Sequence, residues 1–310
     1  MSDYDDTESV RTLDDLRAWS RTAPSLAVVG HPIAHSRSPR MHNAALAGLA
    51  ATDAAFGDWR YYKFDIAPER LAEALPLFHA KGFVGLNLTI PHKTDVLPLL
   101  ADVSSFVAKA GAANTLIRTG AGYTGANTDG LGLVAACRSR PGVSFLNRHV
   151  VLLGAGGAAR AIGATVSDLE GCATLTVVNR TRSNAEALIR TLAGRDATMP
   201  LATTFRAITP EEATALPDRA IVINATSIGM KPDDPSPVPK HLFRAGMAVY
   251  DTVYGAHETA LVREARAAGL PAENGLGMLV RQGALALGLW TGRDVPVDVM
   301  WAAVGGTGAI

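Results

Sequence analysis

Apolar and polar positions alternate along this chain in two recurring ways. From His149 onward, apolar runs at 150–153, 174–178, 221–223 and 247–250 are separated by stretches of helical period. That alternation predicts parallel strands joined by helical crossovers. Upstream, Ser25 to Val29 reads as a strand ending at Gly30-His31-Pro32, and a helix follows from Pro39, proline being tolerated in a first turn. Tyr61 to Ile66 is strand-like, Ala67 to Ala80 has helical periodicity, and Gly82 to Ile90 is a strand halted by Pro91. Asn114 to Arg118 and Tyr123 to Gly125 predict a hairpin, and a helix opens near Asp129. Residues 1–24 read as an extension with a short helix from Thr12 to Arg21, to which no chemistry is assigned. Near the other end, Leu276 to Trp290 has an amphipathic rhythm carried by Leu279, Leu285 and Leu289, which predicts a helix packed on the first domain. Internal repeats are absent, and 232–237 is the one low-complexity loop.

The turn after the run at 150–153 carries the first chemical signal. Gly154, Gly156 and Ala159 fit the G-x-G-x-x-A form of a dinucleotide fingerprint. The first glycine permits a tight turn, the second lets backbone approach a pyrophosphate, and the small Ala159 lets helix and strand pack closely. The helix N-terminus then offers N–H groups to the anion. The next strand-like run, Thr174 to Val178, ends in Asn179-Arg180-Thr181-Arg182. A carboxylate there would accept from a ribose 2′-hydroxyl and favour NAD, whereas arginine accommodates the 2′-phosphate of NADP. With two guanidiniums and no carboxylate, the segment reads as an NADP site. A solvated basic turn opening a helix is the alternative reading, which the fingerprint upstream disfavours.

Composition narrows the class. The 310 residues are 48% hydrophobic, enough for two cored domains, and 29 basic residues balance 29 acidic ones. This balance argues against a nucleic-acid footprint or a polybasic membrane patch. Cys137 and Cys172, without metal-type spacing, fit a reducing compartment. The acidic, polar start lacks the apolar core of a signal peptide, and no run approaches the roughly 20 apolar residues of a membrane span. The expectation is a soluble cytoplasmic protein. The eight histidines form no metal-type cluster; Pro32 argues against a helix aligning His31 with His35.

The first domain holds the less usual polar groups. Ser36 and Ser38 precede a helix start, where Ser38 before Pro39 reads as an ordinary cap and also suits a substrate carboxylate. In Gly85 to Lys93, alternation puts Asn87 and Thr89 on one face of an apolar strand, with Lys93 just past its end. Buried polar groups of this kind need partners, from protein or ligand. Asn114-Thr115 and Asn127 to Gly130 carry further turn and cap residues, Asp129 among them. His92, beside Lys93, reads as a surface histidine.

Taken together, these segments resemble the shikimate dehydrogenase family (shikimate/quinate dehydrogenases). The matched stretches are Ser36-Arg37-Ser38-Pro39, Asn87 to Lys93, Gly111 to Thr115, Asn127 to Gly130, Gly154 to Arg160, Asn179 to Thr181, Asn224 to Met230, Tyr250 to Tyr254 and Asn274 to Gln282. They occur in family order from about residue 26 to 292. The resemblance implies an α/β chain of two domains: an N-terminal α/β substrate domain (25–130) completed by C-terminal helices (276–310), and a Rossmann-type doubly wound NADP domain (131–275). It implies reversible reduction of 3-dehydroshikimate to shikimate by NADPH.

The resemblance also implies roles. Ser36 and Ser38 hold the substrate carboxylate, and Asn87, Asn114, Asp129 and Gln282 hold ring hydroxyls, with Thr89 and Tyr254 lining the site. Lys93 is the catalytic lysine and Asp129 its carboxylate partner. Gly154, Ala155, Gly156, Gly157 and Ala158 take the cofactor, with Asn179, Arg180, Thr181 and Arg182 at its 2′-phosphate end. Thr226, Met230, Gly275 and Met278 complete that set, Met230 as a wall near the nicotinamide. The chemistry makes sense of these types: hydride reduction of a ketone leaves an incipient alkoxide, and an ammonium supplies both positive charge and a proton.

Three positions depart from the family pattern. Asn184 stands where a basic residue is common, so Arg182 is expected to take over its phosphate contact. Ala256 replaces a proline after Tyr254, and Asn274 stands where Asp-Gly is frequent. Ser38, where quinate-preferring relatives often carry threonine, leans towards shikimate. A dual quinate/shikimate dehydrogenase with relaxed NAD use and a non-catalytic ligand-sensing module are the competing functions. The absence of a carboxylate at 179–182 argues against the first, and intact Lys93 and Asp129 argue against the second. The expected form is a monomer or a homodimer.

Overall fold

Strand formation in this chain follows apolar, β-branched runs closed by glycine, proline or asparagine, and two sheets result. The computed structural model describes residues 6–139, 143–194, 203–255 and 257–307. Two compact units are present, one comprising Met1–Thr128 with Val280–Ile310, the other Asp129–Leu279.

The first unit contains β1 (Val10–Arg11), α1 (Leu13–Arg17), β2 (Ser25–Gly30), α2 (Ser38–Ala50), β3 (Arg60–Asp65), α3 (Leu71–Ala80), β4 (Phe83–Leu88), α4 (His92–Asp95), β5 (Asp102–Val103), α5 (Ser105–Ala110), β6 (Thr115–Thr119) and β7 (Gly122–Ala126). Its sheet runs β1-β3-β2-β4-β6-β7-β5. The pairs β4–β6 and β6–β7 are antiparallel and the others parallel. Parallel strands buried on both faces read as continuous apolar runs, and all six residues of β2 are buried.

Residues 6–24 contribute Leu16 and Trp19 to this unit's core. β1 pairs with β3, and Leu16 and Trp19 are buried among Tyr62, Phe64, Phe78 and Phe83. The Trp19 ring lies edge-on to Tyr62 with centroids 4.9 Å apart. The helix expected over Thr12–Arg21 is confined to Leu13–Arg17, started by a capping box in which Thr12 and Asp15 satisfy each other's backbone N–H groups. The helix expected over 67–80 opens with a 3₁₀ turn at Pro68–Arg70.

The second unit contains α6 (Asp129–Arg138), β8 (His149–Leu153), α7 (Gly157–Asp168), β9 (Thr174–Val178), α8 (Arg182–Ala193), β10 (Thr204–Ile208), β11 (Ile221–Asn224), β12 (Ala248–Asp251), α9 (Ala260–Ala267) and β13 (Ala272–Glu273). Its all-parallel sheet runs β10-β9-β8-β11-β12-β13, the 3-2-1-4-5-6 order of a doubly wound dinucleotide fold. The order reverses between β8 and β11, and ligands of such sheets bind outside the strand ends at that point.

The chain ends with α10 (Leu276–Thr291) and α11 (Val297–Ala303). On α10, Leu279, Val280, Ala286, Leu287 and Trp290 are buried, whereas Leu285 and Leu289 are exposed. The amphipathic face is therefore the one through 280, 287 and 290, rather than one through 285 and 289. No helix among the described residues is long and apolar enough to cross a membrane.

Candidate active site

In the first unit, the polar residues expected to meet substrate lie around the C-terminal ends of β2 and β4. Asn87, the penultimate residue of β4, is buried. Its Nδ2 donates to the Asn114 carbonyl at 3.1 Å and to Thr115 Oγ1 at 3.2 Å, while Oδ1 accepts from the Tyr61 hydroxyl at 2.7 Å. A backbone carbonyl can only accept, so the Asn114 contact fixes which end of the amide is nitrogen. Both N–H groups are then used, and a second lone pair on Oδ1 is what Asn87 has left to offer.

Asn114 is the hub beside it. Its Nδ2 donates to Thr128 Oγ1 at 3.0 Å and Gln282 Oε1 at 3.2 Å, and its Oδ1 accepts from the Thr128 N–H at 2.9 Å and the Thr115 hydroxyl at 2.8 Å. The backbone completes the arrangement. Leu88 N–H donates to the Asn114 carbonyl, and Ala113 N–H donates to that of Lys93, each at 2.8 Å. Lys93, half-buried in α4, is thereby tied to the turn that carries Asn114.

Tyr61 was not singled out by the sequence, because a tyrosine in a strand reads as core. It is fully buried, and His42 stacks on it with ring centroids 4.0 Å apart at 11°. Burial lowers the His42 pKa to about 4, so the ring is neutral near pH 7 and its Nδ1 pairs with the Ser38 carbonyl at 2.8 Å.

Several expectations are corrected. Thr89 lies past β4, which ends at Leu88, and its N–H donates to the Val29 carbonyl. Ser38 is the first residue of α2 rather than its cap; its own N–H donates to Ser36 Oγ at 3.3 Å, so Ser36 supplies the hydroxyl at the helix start. His92 is buried, not superficial. Its Nε2 pairs with the Ile66 carbonyl at 2.8 Å, and burial lowers its pKa. Lys63, also unforeseen, is buried on β3 and donates to the Ala34 carbonyl at 3.1 Å, bracing the loop that leads to Ser36.

In the second unit, Asp129 is the buried first residue of α6. Gly154 has φ +103°, and a Cβ there would stand 2.9 Å from the Ala225 carbonyl, so the turn after β8 and the loop after β11 approach at the point where strand order reverses. Gly156 is exposed, and a Cβ on it would meet nothing within 4 Å. α7 opens behind it without a side-chain cap, flanked by Ala155, Gly157 and Ala158, and Ala159 is fully buried. Open backbone before an uncapped helix fits a pyrophosphate.

Along the next turn, Asn179 Nδ2 donates to the Thr181 carbonyl at 2.8 Å. Arg180 is exposed and pairs with no described residue. Arg182 is committed differently from the expectation: it pairs with Glu186 at 3.1 Å and with Glu212. Asn184 N–H donates to the Thr181 carbonyl at 3.0 Å within the first turn of α8.

Thr226 Oγ1 donates to Asn224 Oδ1 at 2.7 Å, and Met230 is exposed at the end of the same loop. Tyr254 is half-buried, and Ala256 lies outside the described residues. Gly275 is sterically required, since a Cβ would come within 2.0 Å of the Thr252 carbonyl. Asn274 Oδ1 accepts the Leu276 N–H at 3.1 Å, the same service an aspartate would give. Met278 is buried, its N–H donating to the Tyr250 hydroxyl at 2.9 Å.

Comparison with known proteins points one way. Residues 28–116 match the shikimate dehydrogenase substrate binding domain, and 275–304 match the shikimate 5′-dehydrogenase C-terminal domain. The chain is 44% identical to the shikimate dehydrogenase (NADP(+)) of Symbiobacterium thermophilum, covering 90% of this chain and 92% of that one. It is 40% identical to the enzyme of that name from Moorella thermoacetica, covering 89% and 90%. Among solved structures, shikimate 5-dehydrogenase from Thermus thermophilus in complex with NADP(H) and shikimate matches with TM-score 0.75 at 36% identity, covering 90% of this chain and 98% of that one. On this sequence identity, coverage and fold, the chain belongs to the shikimate dehydrogenase family.

Proposed function

We propose that the first unit binds substrate and the second binds NADP in an enzyme that reversibly reduces 3-dehydroshikimate to shikimate. This NADP-dependent oxidoreductase acts on a CH–OH group in the shikimate pathway to aromatic amino acids. The observation that carries the residue assignment is the amide network of buried Asn87 and Asn114 with half-buried Gln282, held beside the turn to which Lys93 is tied.

Ser36 and Ser38 take the substrate carboxylate at the start of α2. Asn87 accepts from a ring hydroxyl, since its donors are spent within the protein. Gln282, Thr89 and Tyr254 hold the remaining oxygens, with Asn114 beside them orienting Gln282 through an amide already engaged by Thr115 and Thr128. Lys93 places an ammonium at the carbonyl oxygen that becomes an alkoxide, stabilising the charge and donating the proton. In the oxidation direction its neutral amine accepts the hydroxyl proton, with Asp129 as the carboxylate of the acid–base pair.

Gly154 to Ala158 would hold the pyrophosphate, Asn179 to Arg182 the 2′-phosphate, and Thr226, Met230, Gly275 and Met278 the nicotinamide end. When bound, the reduced nicotinamide supplies the hydride. Among the arginines, Arg180 is the readier phosphate ligand, because Arg182 already faces two glutamates.

Lys93→Ala tests the central role. Its kcat should fall by about 10²–10⁴-fold, the usual worth of a positioned acid, with little change in KM for shikimate. A large KM rise with kcat preserved would reduce Lys93 to a binding group. The chain's two cysteines, Cys137 and Cys172, are both buried, which fits the cytoplasm as its location. The working form is a monomer or homodimer, which sedimentation distinguishes.

A further inference from the structure

Asp251 closes β12 with no accessible surface, yet every hydrogen-bond donor found on it is neutral. Oδ1 accepts from Asn224 Nδ2 at 2.9 Å and from the Val253 N–H at 3.0 Å. Oδ2 accepts from the Thr259 hydroxyl at 2.7 Å. A Cβ on Gly229 would lie 3.7 Å from Oδ2, so the loop between β11 and Met230 passes directly over the carboxylate. Burying a carboxylate without a cation is costly, and an apolar side chain would avoid the cost. What a carboxylate offers here is acceptor capacity on two oxygens at once.

The donors come from three segments. Asn224 shapes the Ala225–Met230 loop: its Oδ1 accepts from the N–H and hydroxyl of Thr226, and its Nδ2 also reaches the Ile228 carbonyl at 3.0 Å. Val253 immediately precedes Tyr254. Thr259 caps α9 through the Val262 N–H. One buried group thus anchors the loop ending in Met230, the turn leading to Tyr254 and the start of α9.

We infer that Asp251 is a positioning residue for the reaction, fixing Thr226 and Met230 relative to Tyr254 so that the nicotinamide contact and the substrate contact keep one spacing. This rests on the roles proposed above for those three residues. Asp251 itself touches neither ligand.

Asp251→Asn is close in shape but turns one acceptor into a donor. Adenosine 2′,5′-bisphosphate, which probes only the adenosine half of the site, should bind this variant within about twofold of the parent by calorimetry, while NADP⁺ binds about fivefold more weakly. The kcat should fall about tenfold, with a larger deuterium isotope effect from 4-deuterated NADPH. Thr259→Val should give the same separation, and Thr259→Ser should restore parental values; this pair carries the test if Asp251→Asn does not fold. Unchanged NADP⁺ affinity, kcat and isotope effect in a folded variant would overturn the inference. Tyr254→Phe and Met230→Ala separate the two levels. If these are impaired while Asp251→Asn is silent, the positioning role alone falls. Should they be silent too, the underlying site roles fall with it.

Discussion

The Tyr61 hydroxyl donates to Asn87 Oδ1 at 2.7 Å, and this contact sets what Asn87 can recognise. With its two N–H groups held by Asn114 and Thr115, Asn87 has only acceptor capacity left, which in the proposed substrate role suits a hydroxyl and not a ketone oxygen. Under the proposed function the reacting carbonyl then belongs elsewhere in the site, and Asn87 would accept from a hydroxyl that both substrate and product retain. Tyr61→Phe should raise KM for shikimate about fivefold, the worth of roughly one hydrogen bond, with kcat nearly unchanged. A shikimate analogue lacking the hydroxyl read by Asn87 should bind Tyr61→Phe and the parent equally. Equal losses for both ligands would mean that Tyr61 supports the fold rather than Asn87.

The neutral His42 ring beneath Tyr61 has a consequence for pH. Its folded pKa, about 4, lies below the ordinary 6.5, so the unfolded chain takes up a proton first as pH falls. The contribution is intact above about pH 6.5 and is lost progressively towards pH 4. Between pH 7 and pH 5 the loss is about 2 kcal/mol. His92 shifts in the same direction, so the test compares variants: urea unfolding of His42→Gln should show a shallower fall over that interval than the parent. Identical slopes would contradict a neutral buried ring.

Residues 6–24 are built into the first unit, and Trp19 is the plug. It is 3% exposed, inside the cluster of Tyr62, Phe64 and Phe83. Trp19→Ala should destabilise by about 3–5 kcal/mol, read as a lower denaturation midpoint, and deleting residues 1–22 should be worse. A deletion variant with parental melting temperature and activity would show that the segment is dispensable.

Much of this architecture is legible in the sequence. The runs at 150–153 and 174–178 stand out because strands covered on both faces must be apolar throughout. β10 leaves no such signal because Thr204–Ile208 is an edge strand, partly exposed and mixed in polarity. β1, β5 and β13 are two residues each, too short to leave a period. The motif residues were readable one by one, but their commitments were not. Burial of His92, the ion pairs of Arg182 and the outward turn of Leu285 and Leu289 all depend on partners distant in sequence or on the angle at which a helix docks. Tyr61 and Asp251 were hidden for the same reason: nothing local distinguishes an orienting side chain from a packed one.

The two arginines after β9 should behave differently. Arg180→Ala should raise KM for NADP⁺ by about tenfold or more while leaving KM for NAD⁺ alone, as expected on loss of a charge-assisted phosphate contact. Arg182→Ala should have the smaller effect, because that guanidinium already pairs with Glu186 and Glu212. The reverse ranking would show that Arg182 leaves its glutamates for the cofactor.

The most direct test measures initial rates with shikimate and with quinate, each paired with NADP⁺ and with NAD⁺. The proposed function predicts turnover concentrated in the shikimate–NADP⁺ pair. Comparable turnover of quinate, or comparable turnover with NAD⁺, would contradict it.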